Sequence, residues 1–179
     1  MQTRILSPAL ALLLFSSSLL ADNILTEDST RDYQGQPETP FSEEKTSIPE
    51  RIDMDDLQEF KVGANDPQFR YYIERGSLHT GNDNVTRFVV VIRSHSGATN
   101  SSFEGMRCGV RLYKTYAYGN AEKLYPATET PWQTIPMDEL TDYRAALYED
   151  LICNLLTGTS NPPDTIFRAM AQNRTLRGD

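Results

Sequence analysis

The chain is predicted to be a single α+β domain: an antiparallel sheet of four to five strands packed by one long C-terminal amphipathic helix and a shorter one, tied by a single disulfide. Three observations predict it. Apolar residues alternate with polar ones through residues 69 to 93 and again through 106 to 116, as half-buried strands do. From about residue 138 the apolar period lengthens to three and four. Strands followed by helices, without strand–helix alternation, point to an antiparallel sheet.

The first strand carries Phe69, Tyr71 and Ile73 on one side and Arg70, Tyr72 and Glu74 on the other. The second sets Phe88, Val90 and Ile92 against Arg87, Val89, Val91 and Arg93. Between them Gly81-Asn82-Asp83-Asn84 tolerates positive φ, so the two form a hairpin. A third strand is expected from Met106 to Tyr116, with Met106, Cys108, Val110 and Leu112 inward and Arg107, Gly109, Arg111 and Tyr113 outward. Gly119-Asn120 then turns into a short strand at Lys123 to Tyr125, and Trp132 to Ile135 supplies a fifth extended piece or covers the core edge. The long helix follows from Leu140, Tyr143 or Arg144, Leu147, Leu151 and Leu155, with Asp138 and Glu139 at its positive end and Gly158 as its stop. A second helix starts near Asn161 and Pro162 and buries Ile166, Phe167 and Met170.

Charge and composition organise the rest. The 179 residues include 39% hydrophobic and 23% charged side chains, with a net charge of -8. That is enough apolar material for one core, and it excludes collagen-like, wholly disordered and multi-span membrane classes. A broad nucleic-acid-binding surface is not expected, because phosphate neutralisation needs clustered Lys and Arg. Met1 to Arg4 is a short basic start, Ile5 to Phe15 is largely apolar and Ser16 to Ala21 is rich in small residues. This pattern predicts a cleavable signal peptide over 1–21, export to the periplasm or beyond, and no membrane span afterwards. No cysteine stands near the junction to take a lipid. Residues 22–53 hold nine acids against three bases, with Pro37, Pro40 and Pro49, and read as a disordered or loosely docked acidic arm. Residues 54–179 form the domain.

An even cysteine count in an exported chain argues for a bridge. Cys108 to Cys153 would pin helix to sheet, and closing a loop of this length stabilises by about 4 kcal/mol. The rival is a redox or metal-binding pair, but there is no C-x-x-C and no cluster of histidines. No cofactor or metal is expected.

With one sheet face taken as core, the other carries Arg70, Tyr72, Arg87, Arg93, Arg107, Arg111 and Tyr113. Guanidinium forks and phenol faces suit a carboxylate or phosphate, so an anionic ligand or an acidic segment of an envelope component is the expected partner. The plainer alternatives are solvated arginines, or arginines paired with the chain's own acidic arm. Ser94 to Ser102, with His95, invites a hydrolase reading. Neighbouring residues of an extended chain point to opposite sides, however, and there is no Gly-x-Ser-x-Gly elbow, so no catalytic residue is assigned. His79 has no evident acidic partner. Asn84, Asn100 and Asn173 head Asn-x-Ser/Thr triplets that have meaning only in a eukaryotic secretory route.

Arg93-Ser94, Ser96-Gly97-Ala98-Thr99-Asn100 and Ser102-Phe103-Glu104-Gly105-Met106-Arg107-Cys108, followed by Lys114 and Tyr116-Ala117-Tyr118-Gly119, resemble the cryptic neisserial protein-like family of exported bacterial proteins. Upstream, Phe69 to Ile73, Ser77-Leu78 and Val85 to Val91 fit its first hairpin. Downstream, Trp132, Ile135, Leu147, Tyr148, Asp150 and Cys153 fit its closing helix. The likeness spans about residues 57–155 and implies a periplasmic or envelope-associated protein of no assigned biochemical role. His95 stands where members of that family carry proline, which argues against a catalytic part for it. Glu104 and Arg107, within the shared block, are expected to pair with each other.

The functional expectation is therefore an exported, non-catalytic binding or accessory factor. The alternatives are a hydrolase using the Ser94–Ser102 loop with His95, or a structural interaction module whose acidic arm docks on a basic neighbour.

Overall fold

The computed structural model of the chain describes residues 40–62, 68–137 and 142–172. The chain divides into two compact units, Met1–Pro40 and Phe41–Asp179. The expected signal peptide, most of the acidic arm, the Asp138–Leu140 helix start and Asn173 lie outside the described residues.

The expectation of an α+β fold closed by a long helix is overturned. The second unit is predominantly β. Strands β1 (Leu57–Phe60), β2 (Phe69–Thr80), β3 (Val85–Ser94), β4 (Thr99–Arg107), β5 (Leu112–Asn120) and β6 (Lys123–Pro126) form an antiparallel meander in sequence order, and β7 (Gln133–Thr134) pairs with the other end of β5. A separate two-stranded piece joins β8 (Cys153–Asn154) to β9 (Thr159–Ser160). Among the described residues, α-helix is confined to α1 (Tyr143–Ala146), which runs on as a π-helical turn over Leu147–Ile152, and to α2 (Pro163–Ala171).

The first hairpin is placed as its alternation predicts. β3 is the hub, because Val-rich residues bury both of its faces. Phe88 and Val90 join Tyr71, Ile73 and Met106 on one side, while Val89 and Val91 join Tyr72, Phe103 and Ala117 on the other. The register between β2 and β3 shifts between Glu74 and His79. There the Ser77 hydroxyl accepts from the Val89 N–H at 2.7 Å, while Asp56 takes the Arg75 and Gly76 N–H groups, so these three donors keep partners through the irregularity.

The expected third strand is in fact two. β4 ends at Arg107, a 3-10 turn takes Cys108–Val110, and Arg111 enters the left-handed region at φ 53° before β5 starts. Alternation across residues 106 to 116 is therefore broken. Val110 is exposed rather than inward. β4 itself escaped the sequence reading because Thr99-Asn100-Ser101-Ser102 has loop composition; burial between β3 and β5 overrides that weak preference.

The long helix is cut at both ends. Asp142 caps α1 through the Arg144 N–H at 2.7 Å. At the far end Cys153 is already extended. The Asn154 side chain accepts from the Leu156 and Thr157 N–H groups, and Gly158, at φ 67°, turns the β8–β9 hairpin instead of stopping a helix. Leu155, counted into the helical stripe, is exposed in that turn. α2 buries Ile166, Phe167 and Met170 as expected, but Asn161 does not cap it: its amide donates to the Leu151 carbonyl at 2.8 Å. The Cys108–Cys153 disulfide is present, with Cα atoms 5.3 Å apart. It ties the β4–β5 turn to the start of β8.

Both faces of the sheet are covered. The helical segments close the first, over the larger apolar cluster. Residues 41–56 close the second, where Ile52 is buried and Ile48, Met54 and Leu57 pack beside it. The part of the acidic arm from Phe41 to Asp53 is thus docked on the sheet.

Candidate anion-binding site

Period-two alternation puts Arg70 and Tyr72 on the second face of β2, and the hairpin register sets Arg93 of β3 opposite Arg70. Two like charges opposed across an antiparallel pair destabilise it unless something neutralises them. Beyond Arg93 the chain folds into a tight turn. The Ser94 N–H donates to the Ala98 carbonyl at 2.8 Å, the Gly97 N–H to the Ser94 carbonyl at 3.0 Å, and the Ala98 N–H to the Ser94 hydroxyl at 3.1 Å. Gly97 sits at φ 87°, a conformation that costs a side-chain-bearing residue. The His95 N–H anchors the turn to the Gln68 carbonyl at 3.0 Å.

The result is a shallow concavity of about 330 Å³ lined by Arg70, Tyr72, Arg93, Ser94, His95 and Gly97. None of the six is acidic. The Arg93 guanidinium carbon lies 5.0 Å from the Tyr72 ring centre, a cation–π arrangement at the pocket wall. The Tyr72 oxygen, and then the Glu59 carboxylate, hold the Arg70 guanidinium even more firmly protonated than usual. Two planar forks, a phenol and an imidazole bordering a concavity make a receptor for a small carboxylate or phosphate.

Three of the seven residues expected to share one cationic face therefore do converge. The other four do not. Arg87 is only 2% exposed and makes a bidentate pair with Asp83, at 3.0 and 2.6 Å. Arg107 lies flat on Phe41 of the docked arm, 3.5 Å from the ring centre. Arg111 and Tyr113 are on the helix side. Arg111 donates to the Ile135 and Pro136 carbonyls and to Glu149 at 2.6 Å, while the Tyr113 hydroxyl donates to Gln133. The cause is the turn after β4: once Cys108–Val110 leave the sheet, parity cannot be carried from Arg107 to Arg111.

The expected Glu104–Arg107 pair is also replaced. Glu104, with no exposed surface, accepts from Arg144 at 2.9 and 2.7 Å, from the Tyr143 hydroxyl at 2.6 Å and from Ser102 at 2.7 Å. Arg144 in turn stacks over Tyr113, 4.3 Å from its ring centre. Desolvation, and then the Glu104 charge, push the Tyr143 phenol well up, so it stays a donor. The sequence carried a signal for this network: a glutamate on the inward side of a strand requires a buried partner.

In the Ser94–Ser102 segment the Ser94 hydroxyl is engaged by Ser96 at 2.8 Å and by the Ala98 N–H. Ser101 donates to the Ala121 carbonyl. Ser94 and Ser96 thus serve the turn, Ser101 the neighbouring hairpin and Ser102 the buried Glu104.

Among known proteins, the model of the CNP1-like family matches residues 36–170, further in both directions than the 57–155 likeness and across all six pocket residues. No curated protein and no solved structure matches the chain.

Proposed function

The chain belongs to the CNP1-like family, and from that membership we propose that it is an exported, non-catalytic accessory protein of the bacterial envelope that holds a small anionic group at the Arg70–Arg93 pocket. The finer likeness to cryptic neisserial proteins is part of the same proposal. One observation carries it: two arginines stand opposite each other in register, at a concavity whose lining includes no acid. Glu59 on the neighbouring strand offsets part of the Arg70 charge, but like charges opposed across a strand pair still run against cross-strand electrostatics. The disulfide supports an oxidising compartment, and the basic-apolar-small pattern of residues 1–21 supports the route there.

Thermal unfolding in sodium phosphate, in succinate and in chloride of matched ionic strength tests the site. Phosphate or succinate should raise the Tm of the wild-type chain by mass action, whereas Arg70→Gln with Arg93→Gln should unfold at no lower temperature in chloride and show no anion response. An identical response in the double variant removes the reading. Arg107 and Arg111 do not serve for this test, since each already has a partner. Intact mass of protein taken from a periplasmic extract should correspond to a chain starting at Asp22 with its disulfide closed.

A further inference from the structure

Residues Phe41 to Glu44 cross the second face of the sheet without pairing as a strand. Three consecutive holds fix them. The Phe41 ring lies against Arg107 and edge-on to Trp132, with ring centres 5.9 Å apart. The Glu43 carboxylate accepts from Lys114 Nζ at 3.0 Å and from Trp132 Nε1 at 3.2 Å. Glu44 donates its N–H to Asp83 at 2.9 Å and offers its carbonyl to Arg87 at 3.4 Å. An aromatic slot, a carboxylate seat and backbone contacts are the means by which grooves read extended peptides.

Two features set this segment apart from a permanent part of the core. The floor of the groove has hydrogen-bonding capacity that the segment does not use: Arg87 Nε is buried without a hydrogen-bond partner. A buried donor left unmatched is costly, so a ligand that reaches it gains what Glu43 does not supply. The hold is also local. Phe41, Ser42, Glu44 and Lys45 are exposed, and the first fully buried apolar residue of the arm is Ile52, so the segment can lift without unseating that anchor.

We propose that this groove is a docking site for an extended acidic segment of a partner protein, an aromatic residue followed two positions later by a carboxylate, and that Phe41–Glu44 is the internal occupant which such a segment displaces. The partner's aromatic ring lies between Arg107 and Trp132, its first carboxylate between Lys114 and Trp132, and a further oxygen reaches Arg87 Nε. The tethered occupant sets the threshold, because a competitor must overcome a high effective concentration.

Trp132 is the single tryptophan of the chain and reports directly on the groove. The probe is a capped peptide with the sequence of residues 40–45, titrated into the wild-type mature chain and into the same chain carrying Phe41→Ala and Glu43→Gln. The opened variant should show a saturable change in Trp132 emission with a Kd roughly tenfold or more below that of wild type. Adding Lys114→Glu should abolish it, and raising salt from about 50 to about 300 mM should weaken it. A folded opened variant with no saturable response, or with the same affinity as wild type, overturns the proposal. Should the variant fail to fold, amide exchange at residues 41–47 of the wild-type chain decides: faster exchange at millimolar peptide supports displacement, and unchanged exchange under saturating peptide rejects it. Concentration-dependent dimers exchanging these segments would assign the groove to a second copy and overturn the partner assignment.

Discussion

The two faces of one sheet are closed by different physics. Over the first, helical segments bury a large apolar cluster, one disulfide clamps the rim, and Glu104 is sealed away from water beneath Arg144. Over the second, an irregular strap is held at its outer end by the Glu44 N–H on Asp83, by Lys114–Glu43 and by cation–π stacking on Arg107, with a smaller apolar cluster behind it. Covalent and apolar closure is insensitive to salt. Closure by partly accessible charge is weaker and is screened by salt.

Removing the clamp should have the largest effect. Cys108→Ser with Cys153→Ser frees a 45-residue separation and should cost about 4 kcal/mol in urea unfolding. A loss near zero would mean that apolar packing alone closes the helix face. Next comes Glu104→Gln, which leaves Arg144 facing a neutral partner in a buried network; about 3 kcal/mol should be lost, with little dependence on salt. Strong salt dependence would contradict burial of that pair.

On the strap side, desolvation pushes Asp83 upward, but the Arg87 guanidinium and two backbone N–H groups outweigh it and bring the carboxyl down to about 2. A depressed carboxylate stabilises the fold above its unfolded value near 3.8 and loses that contribution as pH falls toward 2. Asp83→Asn should therefore cost about 2 kcal/mol at neutral pH and nothing at pH 2, and chemical denaturation across that range measures it. Asp150, on the helix side, behaves in the opposite way. Burial alone raises its carboxyl to about 6, and one of its oxygens is buried without a partner. Its ionisation opposes folding, so stability should fall as pH rises from about 4 to about 6, and Asp150→Asn should gain roughly 1–2 kcal/mol at pH 7 and flatten that slope. Smallest is Arg51→Ala at the exposed Arg51–Glu122 contact, expected to stay within about 0.5 kcal/mol and to vanish at high salt.

Legibility followed the range of the interactions. The β2–β3 hairpin was readable because alternation and an Asn/Asp/Gly turn agree, and the grouping of Arg70, Tyr72 and Arg93 follows from that register. Arg111 and Tyr113 were misplaced because a three-residue 3-10 turn and a left-handed Arg111 interrupt the parity, and neither has a distinctive residue signature. Leu155 fitted the helical stripe, yet Asn154 and Gly158 form a hairpin beyond the disulfide, and that tertiary contact outweighs local periodicity.

By itself, the sequence determined the disulfide partners, the first hairpin, the apolar face of α2 and the acidity of the arm, since each follows from residue type or short-range period. Tertiary structure decided the predominance of β, the division of the arginines between an open pocket, a docked strap and a helix-side network, and the pairing of Glu104 with Arg144. Those outcomes depend on which distant segment covers each face of β3 and β4. Burial energy selects that arrangement over the whole chain, and no local window of residues contains it.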